Sequence, residues 1–350
     1  MKENNPFTLM FGKEPANSIP RDDILSEIVM DFSRPNPMTQ VYIITGARGS
    51  GKTVLLSELY QYFDQQNDWI SVDVNPHRNI LEDLASSLYD KGAMRHLFLK
   101  GSFDISFHGV SFSLEGSRPV TSIASVVDRM LAYLKDHNKK LFVSLDEVTT
   151  TEKVKEFVHD FQSYIRKDYP IYLVMTGLYE NVAGLQDNKS LTFLYRAPKI
   201  LLAPLDDITI MRSYMEILEI NEDTAKRLTR LVKGYGFGYQ ALGYLFYERR
   251  VIDDELIEKY DEALRINAYN KIWEGLGENE KRIVLSFHGA DESKVSEILT
   301  ETTLNNKTFS VYRERLIKKG VAAGKERGIL SIILPRFSVY ASQKREIEQE

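Results

Sequence analysis

The sequence contains no cysteine, and this absence excludes disulfide frameworks and thiolate metal sites. Its six histidines are scattered without metal-ligand spacing, so they do not predict a metal centre either. No stretch approaches the ~20 apolar residues of a membrane span, and residues 1–6 have no apolar signal-peptide core. These absences predict a soluble, cytoplasmic protein that does not enter a membrane.

An excess of positive charge is also missing. The formal net charge is −5 at pH 7, which argues against a uniformly basic nucleic-acid-binding surface but leaves room for a local basic patch. The 350 residues are enough for two or three domains, and the hydrophobic content of 43% is typical of globular proteins.

The run from Gly46 to Thr53 matches the phosphate-binding pattern G-x-x-x-x-G-K-[ST] at every fixed position. Glycines at these places let backbone N–H groups surround a phosphate, Lys52 reaches the terminal phosphates, and the Thr53 hydroxyl is a ligand for Mg²⁺. A strand-like run (41–44) precedes the loop and a helical run (54–59) follows it, which makes an ordinary glycine-rich turn the weaker interpretation. The predicted nucleotide contacts are Gly46, Ala47, Arg48, Gly49, Ser50, Gly51, Lys52, Thr53 and Val54.

Apolar strand patterns alternate with helical patterns through the first two hundred residues, which predicts an α/β fold with a parallel sheet between helices. The predicted strands are 41–44, 69–74, 141–145, 171–175 and 199–202. The predicted helices are 79–88, 121–134, 154–165 and 180–185. Residues 103–114 depart from the alternation and predict a β-hairpin, either folded against the sheet or protruding as a contact device.

The strand signals end near residue 205. Helices are predicted at 207–218, 223–233, 239–248 and 254–268, with the glycine-rich segment 234–238 as a flexible break. Beyond residue 271 the pattern is three helices (278–287, 292–301, 308–319) and two short strands flanking 324–328, which resembles a winged helix-turn-helix. The predicted domains are an ATPase domain (1–205), a helical lid (206–270), a winged helix (271–342) and a frayed charged tail (343–350).

Two carboxylates, Asp146 and Glu147, follow the predicted strand 141–145. Ligands of parallel sheets gather at the carboxyl ends of the strands, so both side chains are expected in the same crevice as Lys52. Asp146 is the expected Mg²⁺ partner, and Glu147 is the expected group that orients a water for attack on the γ-phosphate. The alternative is an acidic helix cap at a strand–helix junction.

Two further residues complete the predicted catalytic set. Thr176 follows the strand 171–175, where its hydroxyl is expected near the attacking water; a turn-capping role is the alternative. Arg196 precedes the last predicted strand, where its guanidinium is expected to reach the γ-phosphate of a neighbouring subunit; a local surface salt bridge is the alternative.

Together these motifs resemble a AAA-type P-loop ATPase, and most closely the prokaryotic and archaeal ATPases allied to the origin-recognition and STAND signal-transduction branches. The resemblance implies ATP and Mg²⁺ as cofactors, slow ATP hydrolysis, Thr176 as a sensor and Arg196 as an arginine finger toward a second copy. It also implies that Pro20 and Arg21 lie near the base and that Gly238 of the lid lies near the nucleotide. The lid arginine of the origin-recognition relatives has no counterpart here, since Arg249 and Arg250 lie about three helical turns beyond Gly238.

The segment from residue 305 to residue 345 carries ten basic and two acidic residues, in contrast to the acidic chain as a whole. This local charge favours binding to a phosphate backbone, although some of these residues must face away from any one groove. The alternatives are a protein-docking module and a merely solvated helix face. The predicted DNA contacts are Ser310, Tyr312, Arg313 and Arg315 on the third helix, with Lys325 and Arg327 on the wing.

The sequence therefore predicts an ATP-driven switch whose winged helix binds duplex DNA. A signalling or assembly ATPase whose C-terminal module binds protein is the alternative. A small-molecule kinase is disfavoured because it would need neither the helical lid nor the basic terminal domain.

Overall fold

The computed structural model describes residues 5–10, 15–91, 105–107, 110–112, 122–187, 191–324 and 326–349. These residues form two compact units that alternate along the chain. The first unit contains residues 1–21, 45–54 and 201–350, and the second contains residues 22–44 and 55–200. The phosphate-binding run thus belongs to the first unit together with the C-terminal half of the chain.

A parallel five-stranded sheet is the centre of the second unit. Its strands are β1 (Val41–Thr45), β2 (Trp69–Val74), β5 (Lys140–Leu145), β6 (Ile171–Gly177) and β7 (Lys199–Leu201), in the order β2-β5-β6-β1-β7. Val72 pairs with Val143, and Val143 with Leu173. The last residues of β1 and β7 continue into the first unit.

Helices cover both faces of this sheet because its strands are apolar on both sides. On one face lie α3 (Ile80–Asp90), α4 (Ile123–Asp136) and α5 (Glu152–Arg166), whose Leu84, Leu131 and Phe157 share one buried cluster with the strands. On the other face lie α1 (Asp22–Ser33) and α2 (Lys52–Asp64). There the rings of Phe63 and Phe142 stack with centroids 4.8 Å apart.

Shorter elements connect these layers. Strands β3 (Ile105–Phe107) and β4 (Val110–Phe112) pair antiparallel, which confirms the predicted hairpin, although its tip lies outside the described residues. Helices α6 (Tyr179–Gln186) and α7 (Thr192–Arg196) lead from β6 to β7.

The first unit is helical where the sequence predicts a lid. It contains α8 (Asp207–Leu218), α9 (Glu222–Val232), α10 (Gly236–Arg249) and α11 (Asp254–Leu264). A π-helical turn, Arg265–Tyr269, joins α11 to α12 (Asn270–Glu274). Four tyrosines that are almost fully buried, Tyr214, Tyr239, Tyr260 and Tyr269, fill the core of this region.

The C-terminal part of the first unit contains four helices and a small sheet. Its elements are α13 (Glu278–Leu285), β8 (Glu292–Lys294), α14 (Val295–Thr302), α15 (Asn306–Lys318), β9 (Ala322–Ala323), β10 (Ile329–Ile332) and α16 (Phe337–Gln349). The three strands are antiparallel in the order β8-β10-β9. These are the three predicted helices and two predicted strands, with an added strand and an added helix.

Three local predictions were wrong. Residues 292–294 were assigned to a helix but form β8, because they pair with β10 even though Glu-Ser-Lys has no apolar pattern. The break at 234–238 is shorter than expected, since α10 already begins at Gly236. Residues 343–349 are not a frayed tail but continue α16, whose first half is anchored by buried Phe337 and Ala341. Among the described residues, none of the helices combines the length and apolarity that a membrane crossing requires.

Candidate phosphate-binding and catalytic site

The phosphate-binding run forms a tight loop between β1 and α2. Gly49 and Gly51 have φ angles of +77° and +95°, which L side chains rarely adopt, so glycine is needed at both positions. The Lys52 ammonium, at the start of α2, donates to the carbonyl oxygens of Gly46 (3.0 Å) and Ala47 (2.9 Å). These two hydrogen bonds hold the positive charge of Lys52 against the loop, where a phosphate would bind.

The lid contacts the loop directly. The Tyr235 hydroxyl donates to the carbonyl oxygen of Arg48 (2.6 Å), and the backbone N–H of Phe237 donates to that of Gly49 (2.9 Å). Phe237 lies in the first turn of α10, where backbone N–H groups have no partner within the helix. A Cβ atom on Gly49 would overlap the Tyr235 hydroxyl and lie 2.9 Å from Phe237 Cβ.

The segment before α1 also contacts the loop. The Arg21 guanidinium donates to the carbonyl oxygens of Ser50 (3.1 Å) and Ala203 (2.8 Å), while Pro20 is exposed. Arg21 therefore ties the loop to the start of the lid, and the expected proximity of both residues to a base stays a prediction.

A turn of the C-terminal part lies against the loop as well. Gly320, between α15 and β9, has a φ of +73°, and a Cβ atom there would lie 2.9 Å from the backbone nitrogen of Ala47. A cavity of about 20 Å³ is lined by loop, lid and C-terminal residues, among them Ser50, Tyr235 and Gly320. The loop is thus in contact with three other segments of its own unit.

The predicted carboxylates lie in the second unit, directly after β5. The Thr176 hydroxyl, at the end of β6, donates to Asp146 Oδ1, and the backbone N–H of Glu147 donates to the same oxygen at 2.9 Å. Glu147 is exposed and has a φ of +51°, a left-handed conformation that costs a residue with a side chain about 1–2 kcal/mol. Strained backbone of this kind is common at functional sites, since the surrounding structure must hold it.

A third carboxylate lies near this pair and is not part of the sequence prediction. Asp73, near the end of β2, accepts a hydrogen bond of 2.6 Å from the Ser144 hydroxyl of the neighbouring strand. Partial desolvation raises the pKa of Asp73, and the negative charge of Asp146 acts in the same direction. A positive charge near Asp73 and Asp146 would therefore reduce the repulsion between the two side chains.

The oxygen ligands that the sequence analysis assigns to Mg²⁺ suit that ion. Mg²⁺ binds one or two protein oxygen ligands together with phosphates and water, and an exposed hydroxyl (Thr53) and a half-exposed carboxylate (Asp146) are ligands of this kind. Among the described residues, no group of three His, Cys, Asp or Glu side chains could hold a metal ion by itself.

The sequence also singles out three further arginine and glycine residues, Arg196, Gly238 and Arg249. Arg196 is exposed at the end of α7, and its role as an arginine finger stays a prediction. Gly238 lies in the first turn of α10, and a Cβ atom there would lie 2.5 Å from the Tyr260 hydroxyl, so a packing role within the lid is evident. Arg249 pairs with Asp253 (2.8 Å) and Glu255 (2.7 Å).

Helix α15 carries four of the six predicted DNA contacts, and only some of these four side chains are exposed. Ser310 and Arg315 are exposed, whereas Tyr312 is half-buried, with the Arg315 guanidinium 5.3 Å from its ring centroid. Arg313 is turned against Gly324, and its Nε is buried without a hydrogen-bond partner. Between β9 and β10, Arg327 is exposed, and Lys325 lies outside the described residues.

The sequence motifs predict no contact for Tyr235, Phe237 or Asp73 at this site. No spacing rule links Tyr235 to a loop 187 residues away. A signal did exist for Asp73, because it comes near the end of a predicted strand, as Asp146 does.

Comparison with solved structures establishes the fold. The Walker-type ATPase PABY2304 of Pyrococcus abyssi aligns with 92% of this chain and 95% of its own, with 16% identity and a TM-score of 0.61. The ORC2 protein of Aeropyrum pernix, solved as ADPNP–ADP complexes, aligns over 99% of both chains, with 12% identity and a TM-score of 0.58. The chain therefore has the α/β P-loop NTPase fold, as its sequence predicts. No protein-family model and no curated protein matches the sequence.

Proposed function

We propose that this chain binds and slowly hydrolyses ATP with Mg²⁺, and that its nucleotide state controls duplex DNA binding by a C-terminal winged helix. The observation that carries the proposal is the phosphate loop itself, a complete motif whose backbone is held by the lid and touched by the C-terminal part. ATP is the favoured nucleotide because one of the two similar structures is that of a Walker-type ATPase and the other was solved with ADPNP and ADP.

The proposed chemistry divides among six residues and the loop backbone. Lys52 and the loop N–H groups bind the β- and γ-phosphates, and Thr53 and Asp146 hold Mg²⁺. Glu147 orients the attacking water. The loop follows β1 and the carboxylates follow β5 of the same sheet, whose carboxyl edge is where ligands of such folds gather. Thr176 holds Asp146 in place, which fits the predicted sensor role. Arg196 is proposed to act on the nucleotide of a second copy.

Coupling to the C-terminal part is supported by contacts within the first unit. Lys233, at the end of α9, forms an ion pair of 2.5 Å with Asp291 and donates to the carbonyl oxygen of Ile332 (3.4 Å). Arg336, before α16, pairs with Asp261 of α11. Together with Gly320 against Ala47, these contacts connect the loop and lid to the small sheet. We propose that a change in the lid on ATP hydrolysis reaches the C-terminal part through them.

The DNA-binding half of the proposal rests on the basic charge around α15. The order helix, strand, helix, helix, strand, strand from α13 to β10 supports a winged helix. Exposed Lys307, Arg315 and Arg327 are suited to phosphate contacts.

One observation favours the alternative, a C-terminal module that binds protein. Val311 is 47% exposed on α15, and Glu314 beside it pairs with Lys318 at 2.6 Å. An apolar side chain and a neutralised charge on the exposed face suit a protein surface better than a phosphate backbone.

Retention of the protein on duplex DNA distinguishes a DNA-binding from a protein-binding C-terminal part. We expect retention at low salt that weakens steeply as salt rises, and that differs between a non-hydrolysable ATP analogue with Mg²⁺ and ADP. Absence of retention at low salt with the ATP analogue would leave the protein-binding function as the better account.

A further inference from the structure

The lid holds the phosphate loop through one side chain. Tyr235 is only 4% exposed, and its hydroxyl donates to the Arg48 carbonyl oxygen at 2.6 Å. Burial raises the pKa of Tyr235, so the hydroxyl stays protonated at neutral pH and remains a donor. Few residues offer a donor at this distance from the backbone that still fits above a glycine.

This hydrogen bond fixes the plane of one peptide group. In a trans peptide the C=O and the following N–H point in opposite directions. With its carbonyl oxygen bound by Tyr235, the Arg48–Gly49 peptide directs the Gly49 N–H away from the lid residue. The next peptide is fixed in the same way, because Phe237 N–H binds the carbonyl oxygen of Gly49.

A phosphate needs N–H groups turned inward, and a flipped peptide would present a carbonyl oxygen to the anion instead. Gly49 makes such a flip easy, because glycine populates positive and negative φ almost equally. A contact that prevents the flip therefore prepares the loop for an anion before the anion binds. Preparation of this kind lowers the cost of binding.

We infer that Tyr235 is a positioning residue for nucleotide binding, which fixes the Arg48–Gly49 peptide so that its N–H faces the phosphates of ATP. The inference rests on the proposed function, since it concerns the affinity of the same loop. Tyr235 acts through the loop backbone, and it makes the lid a part of the binding site rather than a cover over it.

The chain offers a matched control. Tyr214 is also buried, and its hydroxyl also donates to a backbone carbonyl oxygen, that of Tyr239, at 2.7 Å. Both partners of this second bond lie in the lid, on α8 and α10. Tyr214→Phe and Tyr235→Phe each remove one hydroxyl and one hydrogen bond to a backbone carbonyl, but only the second touches the loop.

The test measures affinity for a fluorescent ATP analogue, together with KM, kcat and the urea midpoint, for the wild type and both variants. We expect Tyr235→Phe to raise Kd and KM roughly fivefold while kcat stays within about twofold. Tyr214→Phe is expected to lower the urea midpoint about as much as Tyr235→Phe does, and to leave Kd within about twofold of the wild-type value.

Each outcome decides. Unchanged affinity in Tyr235→Phe, or an equal loss in Tyr214→Phe, would overturn the inference while the wild type still binds and hydrolyses ATP. A wild type that does not bind the analogue would overturn the proposed function, and the inference with it.

Discussion

The phosphate loop and helix α15 are both proposed to bind phosphate groups, and they are built in different ways. Polar groups of the loop are held by distant residues, as in the bond from Tyr235 to Arg48 across 187 positions. On α15 the partners are neighbours: the Ser310 hydroxyl donates to the carbonyl oxygen of Asn306, and Glu314 pairs with Lys318, each four residues away.

This difference has a physical consequence. Long-range contacts fix the loop in one conformation, so little free energy is lost in ordering the loop when a ligand binds. Local pairs on an exposed helix are worth a few tenths of a kcal/mol each and rearrange easily. We therefore expect substitutions in the loop to cause large changes in nucleotide affinity, and substitutions on α15 to cause small changes in DNA affinity.

The largest expected effect is that of Lys52→Ala. Charged hydrogen bonds to phosphate are the strongest polar contacts available to the loop, so their loss should weaken ATP binding about 100-fold. Titration with a fluorescent ATP analogue measures this, with Lys259→Ala as the control, a lysine that pairs with Glu255 on α11. Equal affinities for the two variants would remove the loop from the nucleotide site.

Two glycines allow a direct test of the packing between the lid and the loop. Gly49 and Gly328 have φ angles of +77° and +82°, but a Cβ atom on Gly328 would meet none of the described residues within 4 Å. Gly328→Ala should therefore cost only backbone strain of about 1–2 kcal/mol, and Gly49→Ala about 2 kcal/mol more, because it displaces Tyr235 and Phe237. Urea unfolding measures both. Equal losses would mean that the lid does not pack on the loop as described.

Alkaline pH should weaken the tyrosine-rich lid. Burial raises the pKa of Tyr239 from 10.0 to about 12, so the folded protein favours its neutral form. That contribution is complete below pH 10 and is lost as pH rises through about 12. We expect the free energy of unfolding to fall between pH 10 and 11 by up to about 1.4 kcal/mol for this group. Urea unfolding across this range measures the slope, which Tyr239→Phe should reduce; identical slopes would contradict the assignment.

The smallest effects are expected on α15. Arg315→Ala should weaken duplex DNA binding by a few fold and lower the salt dependence by about one counterion. Arg313→Ala should have less effect on the salt dependence, since Arg313 is turned against Gly324. Salt titration of DNA affinity compares the two, and a larger change in slope for Arg313→Ala would reverse their assignment.

The sequence predicts the sheet well because its strands are rich in β-branched, aromatic and other apolar residues. Helix α1 is not among the predicted helices, although the Asp22-Asp23 start and the spacing of Ile28, Val29 and Phe32 are typical of an amphipathic helix. Strand β8 has no sequence signal at all, since its Glu-Ser-Lys becomes a strand only by pairing with β10.

The candidate site divides in the same way. The residues of the loop and the pair Asp146-Glu147 follow from motifs, whose spacing is dictated by the shape of a phosphate and by the end of a strand. The contacts from Tyr235 and Gly320 depend on tertiary packing, which no local pattern encodes.

The most direct test of the central claim compares phosphate release from ATP and Mg²⁺ by the wild type and by Glu147→Gln, with nucleotide binding measured on the same samples. We predict that the variant binds ATP with affinity close to that of the wild type and turns it over at least about 100-fold more slowly. Turnover at the wild-type rate in Glu147→Gln, or a wild type that releases no phosphate, would contradict the account.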